Sequence, residues 1–215
     1  MNEDATVLQV QGLCFSHPQQ TVFTDWAARV GPGATLVQGG ESSGKTTLLR
    51  LLSGALAPAR GQLVLNGSAL AEAPQAYRRQ VFWMDPRSDA IDPLTVCDWL
   101  QSLPAQHPAW DAQALAGHVQ GFGLEAHLHK GIYMLSTGSK RKVLMAAALA
   151  SGAPLTLIDE PVAGLDHGSV RYLCQAIAAA SATQPGRAIV VAHYEPLAGV
   201  PWRAVIALPE LGGPG

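Results

Sequence analysis

Residues Gly39-Gly40-Glu41-Ser42-Ser43-Gly44-Lys45-Thr46 follow the spacing G-x-x-x-x-G-K-[ST]. Small residues at that spacing let backbone N–H groups turn toward phosphate oxygens, and the helix that follows adds its positive N-terminal end. Lys45 would then reach the β- and γ-phosphates of a nucleotide, Thr46 would present its hydroxyl to Mg²⁺, and Thr47 would continue the phosphate-facing turn. A match of this kind arises by chance in roughly one chain in a hundred of this size.

A second constellation lies in Leu155-Thr156-Leu157-Ile158-Asp159-Glu160-Pro161, where two carboxylates end an apolar run. Neighbouring side chains on a strand point apart, so the pair divides its roles: Asp159 toward Mg²⁺, Glu160 toward the water that attacks a γ-phosphate. His193 closes the run Ala188 to Ala192 and would reach the same edge of a parallel sheet as a γ-phosphate contact. Leu135-Ser136-Thr137-Gly138-Ser139 opens a basic-then-apolar segment. Ser136 or Ser139 there serves either as a helix N-cap or as part of a second anion site. His118 with His127-x-His129 lacks a supporting Cys or carboxylate pattern and reads as a solvated helical face.

These residues need elements to hold them. Thr35 to Val37 reads as a short strand before the glycine loop, and Lys45 to Leu56 as a helix packed on most sides, ended by Pro58 and Gly61. Ala5 to Phe15 and Thr21 to Val30 have the character of strands in an antiparallel edge layer, with further short strands at Gln62 to Leu65 and Val81 to Met84. From about Arg87 to Ala150 the pattern becomes helical, around Val96 to Leu103, Asp111 to Gly121 and Lys140 to Ser151. Buried strands then follow at Leu155 to Ile158, Ala188 to Ala192 and Ala204 to Leu208, the first two separated by a helix over Val170 to Ala180. The expected fold class is therefore α/β, a mostly parallel core sheet with an antiparallel edge layer and an inserted helical subdomain. Residues 1–86 and 152–215 would form the core and 87–151 the insertion.

Composition sets the outer bounds. With 215 residues, 48% of them hydrophobic and 14% charged, the chain has the material for one large folded domain and not for two catalytic ones. A net charge of −2 without a long Lys/Arg run disfavours nucleic acid as a partner. The start Met1-Asn2-Glu3-Asp4 is acidic where a secretory signal carries positive charge, so a cytoplasmic location is expected. Cys14, Cys97 and Cys174 are scattered and read as buried, reduced thiols.

Taken together, and in this order along nearly the whole chain, these motifs resemble the ATP-binding cassette (ABC) ATPases. The segment Leu135 to Ser139 is similar to that family's Leu-Ser-Gly-Gly-Gln signature, Ala163-Gly164-Leu165-Asp166 to its D-loop, and His193 to its switch histidine. The resemblance implies ATP and Mg²⁺ as cofactors and head-to-tail pairing with a second copy or another ATPase subunit. Ser136 and Gly138 of one subunit would then meet the γ-phosphate held by Lys45 of the other, with Asp166 at the same junction. It also implies separate membrane-spanning transporter subunits, which would place the chain peripherally on the inner face of the membrane. Small size and the Lys140-Arg141-Lys142 run look similar to compact exporter ATPases, including the cytochrome c biogenesis haem exporter type. An ABC ATPase serving a soluble assembly partner, or an ATP-binding module with little turnover, are the alternatives.

Two positions depart from the family pattern. The adenine-stacking aromatic maps to His17, with Phe15 as the substitute. The family's Gln at the join to the helical insertion is missing from Val81-Phe82-Trp83-Met84-Asp85-Pro86, and Asp85 is expected to supply a metal-side or water-side oxygen in its place.

Overall fold

A computed structural model describes residues 5–210. The acidic start lies outside the described residues. Two long strands open the fold, β1 (Leu8–His17) and β2 (Gln20–Val30), followed by the shorter β3 (Gly33–Gln38) and the helix α1 (Lys45–Leu52). Strands β4 (Arg60–Leu65) and β5 (Ser68–Ala69), helix α2 (Pro74–Arg78) and strand β6 (Val81–Phe82) come next. Helices α3 (Val96–Ser102), α4 (Ala112–Gly121) and α5 (Thr137–Ala150) then lead to β7 (Leu155–Asp159), α6 (His167–Thr183), β8 (Ala188–His193) and β9 (Trp202–Ala207).

The strands form two sheets. One is antiparallel, ordered β2-β1-β4-β5, and the other is ordered β6-β7-β8-β3-β9 with every pairing parallel. Parallel strands covered on both faces must be apolar on both, and β8 shows why. Ile189 and Val191 face a core shared with α3, α5 and α6, while Ala188, Val190 and Ala192 face a second core shared with α1 and the antiparallel sheet. All six β8 residues are buried. This is the α/β architecture expected, a parallel core with an antiparallel layer and a run of helices between β6 and β7.

Several boundaries differ from the expectation. α1 stops at Leu52, not Leu56, because Gly54 takes φ 72° and its N–H turns back to Leu51 O; Pro58 and Gly61 lie beyond a helix already ended. α6 runs from His167 because Asp166 caps it, accepting from Ser169 N. α2 was not expected: Pro74 opens it, and Tyr77, fully buried, anchors it by donating to Leu52 O at 2.7 Å. Cys174 is buried, but Cys14 and Cys97 are only half-buried, and all three are free.

Candidate functional site

Parallel pairing brings the carboxyl ends of β3, β7 and β8 to one edge, and the candidate chemistry gathers there. Gln38 pairs with His193 and Asp159 with Ala192, so the glycine loop leaves the sheet beside the histidine and the two carboxylates. The loop N–H of Gly39 reaches His193 O at 3.4 Å, and Glu160 N–H donates to Ala192 O at 3.0 Å. The loop needs left-handed backbone at two points, Ser42 with φ 59° and Gly44 with φ 89°, and Ser43 Oγ braces it by donating to Gly40 O at 3.0 Å.

Lys45 is buried and folds over the loop. Its ammonium donates to Gly39 O at 2.8 Å and Gly40 O at 2.7 Å and lies 3.1 Å from Glu160 Oε1. The cation therefore already stands where phosphate charge would be met, satisfied by two carbonyls and one carboxylate. Glu160 itself has φ 44°, a strained conformation for a residue with a Cβ. That twist swings its carboxylate off the strand line and sets Oε2 3.9 Å from His193 Nε2. His193 is 1% exposed, its Nδ1 hydrogen-bonds Glu195 O at 2.8 Å, and its Nε2 has no hydrogen-bond partner. Tyr194 stacks beside it at 4.3 Å between ring centres, held by Gln38 Nε2 donating to Tyr194 O.

Thr46 Oγ1 donates to Asp159 Oδ2 at 2.6 Å, while Asp159 Oδ1 is buried without any partner. Burial pushes the Asp159 carboxyl above its ordinary pKa, and the Thr46 bond works against that push. A hydroxyl and a half-satisfied carboxylate are hard oxygen donors of the kind that suit Mg²⁺, which takes one or two carboxylates and fills its remaining positions with water and phosphate.

His17 extends toward the same helix, with Nε2 3.3 Å from Thr47 Oγ1, and Phe15 meets it edge-on at 5.0 Å. The exposed imidazole thus borders the start of α1, one side of the phosphate loop.

Asp85, expected to supply a metal-side or water-side oxygen, has both carboxylate oxygens engaged. Its Oδ2 accepts from Arg50 at 2.5 Å, and its Oδ1 accepts from Arg87 N–H at 3.0 Å, with Arg87 Nε at 3.5 Å. Burial raises its pKa, the two arginines outweigh burial, and the net direction is downward. Arg50 was legible, since it lies four residues after Thr46 on α1; neither arginine was singled out.

Ser136, Gly138 and Asp166 form a second group. Ser136 caps α5, accepting from Ser139 N at 3.1 Å, and its side chain is exposed. Gly138 is pressed against the loop after β7, where an added Cβ would sit 2.1 Å from Gly164 O. Asp166 accepts from Lys142 Nζ at 2.7 Å and from Ser169, which hold its carboxyl well below the usual range. No hydrogen bond or ion pair among the described residues joins this group to Lys45. His118 does not lie on a solvated face: its Nδ1 meets Tyr172 Oη at 2.9 Å, and burial lowers its pKa. No group of three or more metal-ligating side chains occurs among the described residues.

One buried cation escaped sequence reasoning. Arg187, 3% exposed, donates to Ala148 O, Leu149 O, Thr156 Oγ1 and Gln184 Oε1, fastening the C-terminal end of α5 to β7. Burial lowers its pKa to about 10, which leaves it charged at neutral pH. Nothing local marks it, because its partners lie more than thirty positions away except Gln184.

Comparison with known proteins adds four findings. A family described as "ABC transporter" matches residues 24–163. The chain is 32% identical to the cytochrome c biogenesis ATP-binding export protein CcmA of Pseudomonas putida over 87% of this chain and 89% of that protein. A solved structure of an ATP-binding subunit of an ABC transporter superposes with a TM-score of 0.77 at 27% identity, covering 88% of this chain and 80% of that one. A putative ABC transporter ATP-binding protein from Pyrococcus furiosus shares the fold at a TM-score of 0.74 and 19% identity.

Proposed function

The chain belongs to the ABC transporter family as an ATP-binding, ATP-hydrolysing subunit, and from that premise we propose how its residues divide the work. The reading rests on one observation above all: Lys45 meets Glu160 at 3.1 Å, His193 lies 3.9 Å from Glu160, and Thr46 bonds Asp159, all at one edge of a parallel sheet. The glycine loop, Gly39 to Thr47, cradles the ATP phosphates, and Lys45 trades Glu160 and two carbonyls for phosphate oxygens. Glu160, released from Lys45, accepts a proton from the attacking water. His193 points its unpartnered Nε2 at the γ-phosphate, and His17 stacks on the base.

Thr46 and Asp159 would hold Mg²⁺, which when bound supplies positive charge against the phosphate oxygens. The unpartnered Asp159 Oδ1 supports this assignment. Asp85 would supply a metal-side or water-side oxygen only after leaving Arg50 and Arg87.

In this reading residues 1–86 and 152–215 form the core and 87–151 the helical unit. Two subunits, identical or related, close head to tail, and exposed Ser136 with Gly138 completes the partner's phosphate site across a junction that includes Asp166. Separate membrane-spanning subunits carry the substrate and hold this chain at the inner face of the membrane. No helix among the described residues is long and apolar enough to cross a membrane. The relatives are named export proteins, which supports an exporter. Neither a soluble assembly role nor a low-turnover binding module has comparable support, since the matched family and relatives are transporter ATP-binding proteins.

The test is size-exclusion chromatography of Glu160→Gln with Mg²⁺ and ATP, alongside steady-state hydrolysis by the unmodified chain. An ATP-dependent dimer and measurable hydrolysis are expected. A variant that stays monomeric with ATP bound would refute the composite site.

A further inference from the structure

The elements that carry the glycine loop, the two carboxylates, His193 and Ser136 share one fixed point, at the opposite end of the strands from the phosphate edge. Arg187 immediately precedes β8, which ends on His193, and its carbonyl accepts from Gly33 N–H at 2.8 Å, where β3 begins its run toward the glycine loop. Its side chain reaches the third strand. Nε and Nη2 donate to Thr156 Oγ1 at 3.1 and 2.8 Å, on β7 shortly before Asp159. The same guanidinium holds the end of α5, Nη2 donating to Ala148 O at 2.6 Å and Nη1 to Leu149 O at 2.9 Å, while Nη1 also donates to Gln184 Oε1. Every N–H of the fork is thus spent.

No carboxylate pairs with Arg187 among the described residues; its charge is met by the negative end of the α5 dipole. A buried cation without a counter-ion is costly to desolvate. What the rigid fork adds over an apolar filler is a fixed direction between helix and strand. Direction matters because α5 is a lever. Its 14 residues span about 21 Å, with Arg187 at one end and Ser136 capping the other. A tilt of about 3° at the fixed end carries Ser136 through about 1 Å, and a displacement of about 1 Å at a reacting centre costs about a hundredfold in rate. Nearer Ser136, the charged side chains of α5 reach turns and not strands: Lys140 bonds Asp92, and Arg141 bonds Ala163 O.

We propose that Arg187 is a positioning residue for ATP hydrolysis, fixing the angle between α5 and β7 and so the distance from Ser136 to its own chain's carboxylates; this rests on the composite-site reading above. In a head-to-tail pair each chain gives Ser136 to one nucleotide and Glu160 to the other. The angle therefore decides whether both sites close together.

The test compares the full chain with Arg187→Lys, Thr156→Val and their double variant, at a temperature where all are folded. Tyr77→Phe, which loses a buried bond elsewhere, is the control for stability alone. Arg187→Lys and Thr156→Val should each lower kcat about tenfold or more while affinity for a fluorescent ATP analogue stays within about twofold. The double variant should fall no further than Arg187→Lys, because both changes sever one link. Tyr77→Phe should keep kcat within about twofold. Should Arg187→Lys fail to fold, Thr156→Val carries the same outcomes. Spin labels on Ser136→Cys and Val205→Cys, both exposed positions, in a chain whose natural cysteines are replaced by alanine, read the angle without hydrolysis. Arg187→Lys should broaden that distance distribution by about 1 Å or more. An unchanged distribution, a Thr156→Val kcat equal to that of the unmodified chain, or an equal loss in Tyr77→Phe would overturn the proposal. No hydrolysis by the unmodified chain would refute the composite-site reading, and a broadened distribution would still support the fixed angle.

Discussion

Replacing Asp159 by Asn separates what the carboxylate does for chemistry from what it does to the fold. The side chain is 6% exposed, with one oxygen bonded to Thr46 at 2.6 Å and the other bonded to nothing. Leaving a buried charged acceptor unsatisfied costs about 1–3 kcal/mol, and an amide of the same shape carries a smaller desolvation penalty. Asp159→Asn should therefore stabilise the metal-free, nucleotide-free chain by about 1–2 kcal/mol at pH 7.5, or about 2–8 °C in Tm for a domain of this length. The sign with pH follows from burial raising the folded carboxyl's pKa. The folded state holds the proton longer than the unfolded one, so wild-type stability falls as pH rises from about 3.9, the unfolded value, through the raised folded value. The gap to Asp159→Asn should close in acid and widen toward neutrality. Thermal melts in EDTA across pH 4 to 8 measure it. Adding Mg²⁺ and ATP should stabilise the wild type more than the variant, and hydrolysis by the variant should fall to background. A variant less stable than wild type, or a gap independent of pH, would refute the reasoning.

Arg187→Met should lose about 3 kcal/mol, seen as a urea midpoint lower by about 1 M, since several buried acceptors at the end of α5 lose their donor; Arg187→Lys should recover only part. Gly138→Ala forces a Cβ to within 2.1 Å of Gly164 O, so hydrolysis should drop about tenfold or more while fluorescent-nucleotide affinity in the monomer stays within about twofold. Tyr77→Phe removes the bond to Leu52 O and should cost about 1–2 kcal/mol in urea unfolding without changing nucleotide affinity.

How much of this was written in the sequence depended on the range of the interaction. The glycine loop, the Asp159-Glu160 pair and the closing His193 are each contiguous, and each sits at the end of an apolar run, so a local pattern located both residue and element. The core strands β3, β7 and β8 were legible for the same reason, since burial on both faces leaves unbroken apolar runs such as Ala188 to Ala192. Ala204 to Leu208, read as buried too, instead falls largely in β9, an edge strand that is mostly exposed. What failed was long-range. The pairing of Asp85 with Arg50 went unread because the two lie thirty-five positions apart. His118 looked solvated because Tyr172 lies on a different helix. The end of α1 was misplaced because leucines continue past the Gly54 turn, to Leu56, so the apolar pattern outlasted the helix.

The strand order has a consequence for synthesis. β3, which carries the phosphate loop, lies between β8 and β9, and both neighbours are made only after Arg187. A nascent chain can present the whole glycine motif early, yet the loop has no flanking strands until β8 and β9 have left the ribosome. His193, the loop's hydrogen-bonded neighbour, arrives with them. Competence to bind nucleotide is therefore a late event, and ATP becomes a ligand that recognises finished chains and passes over truncated ones.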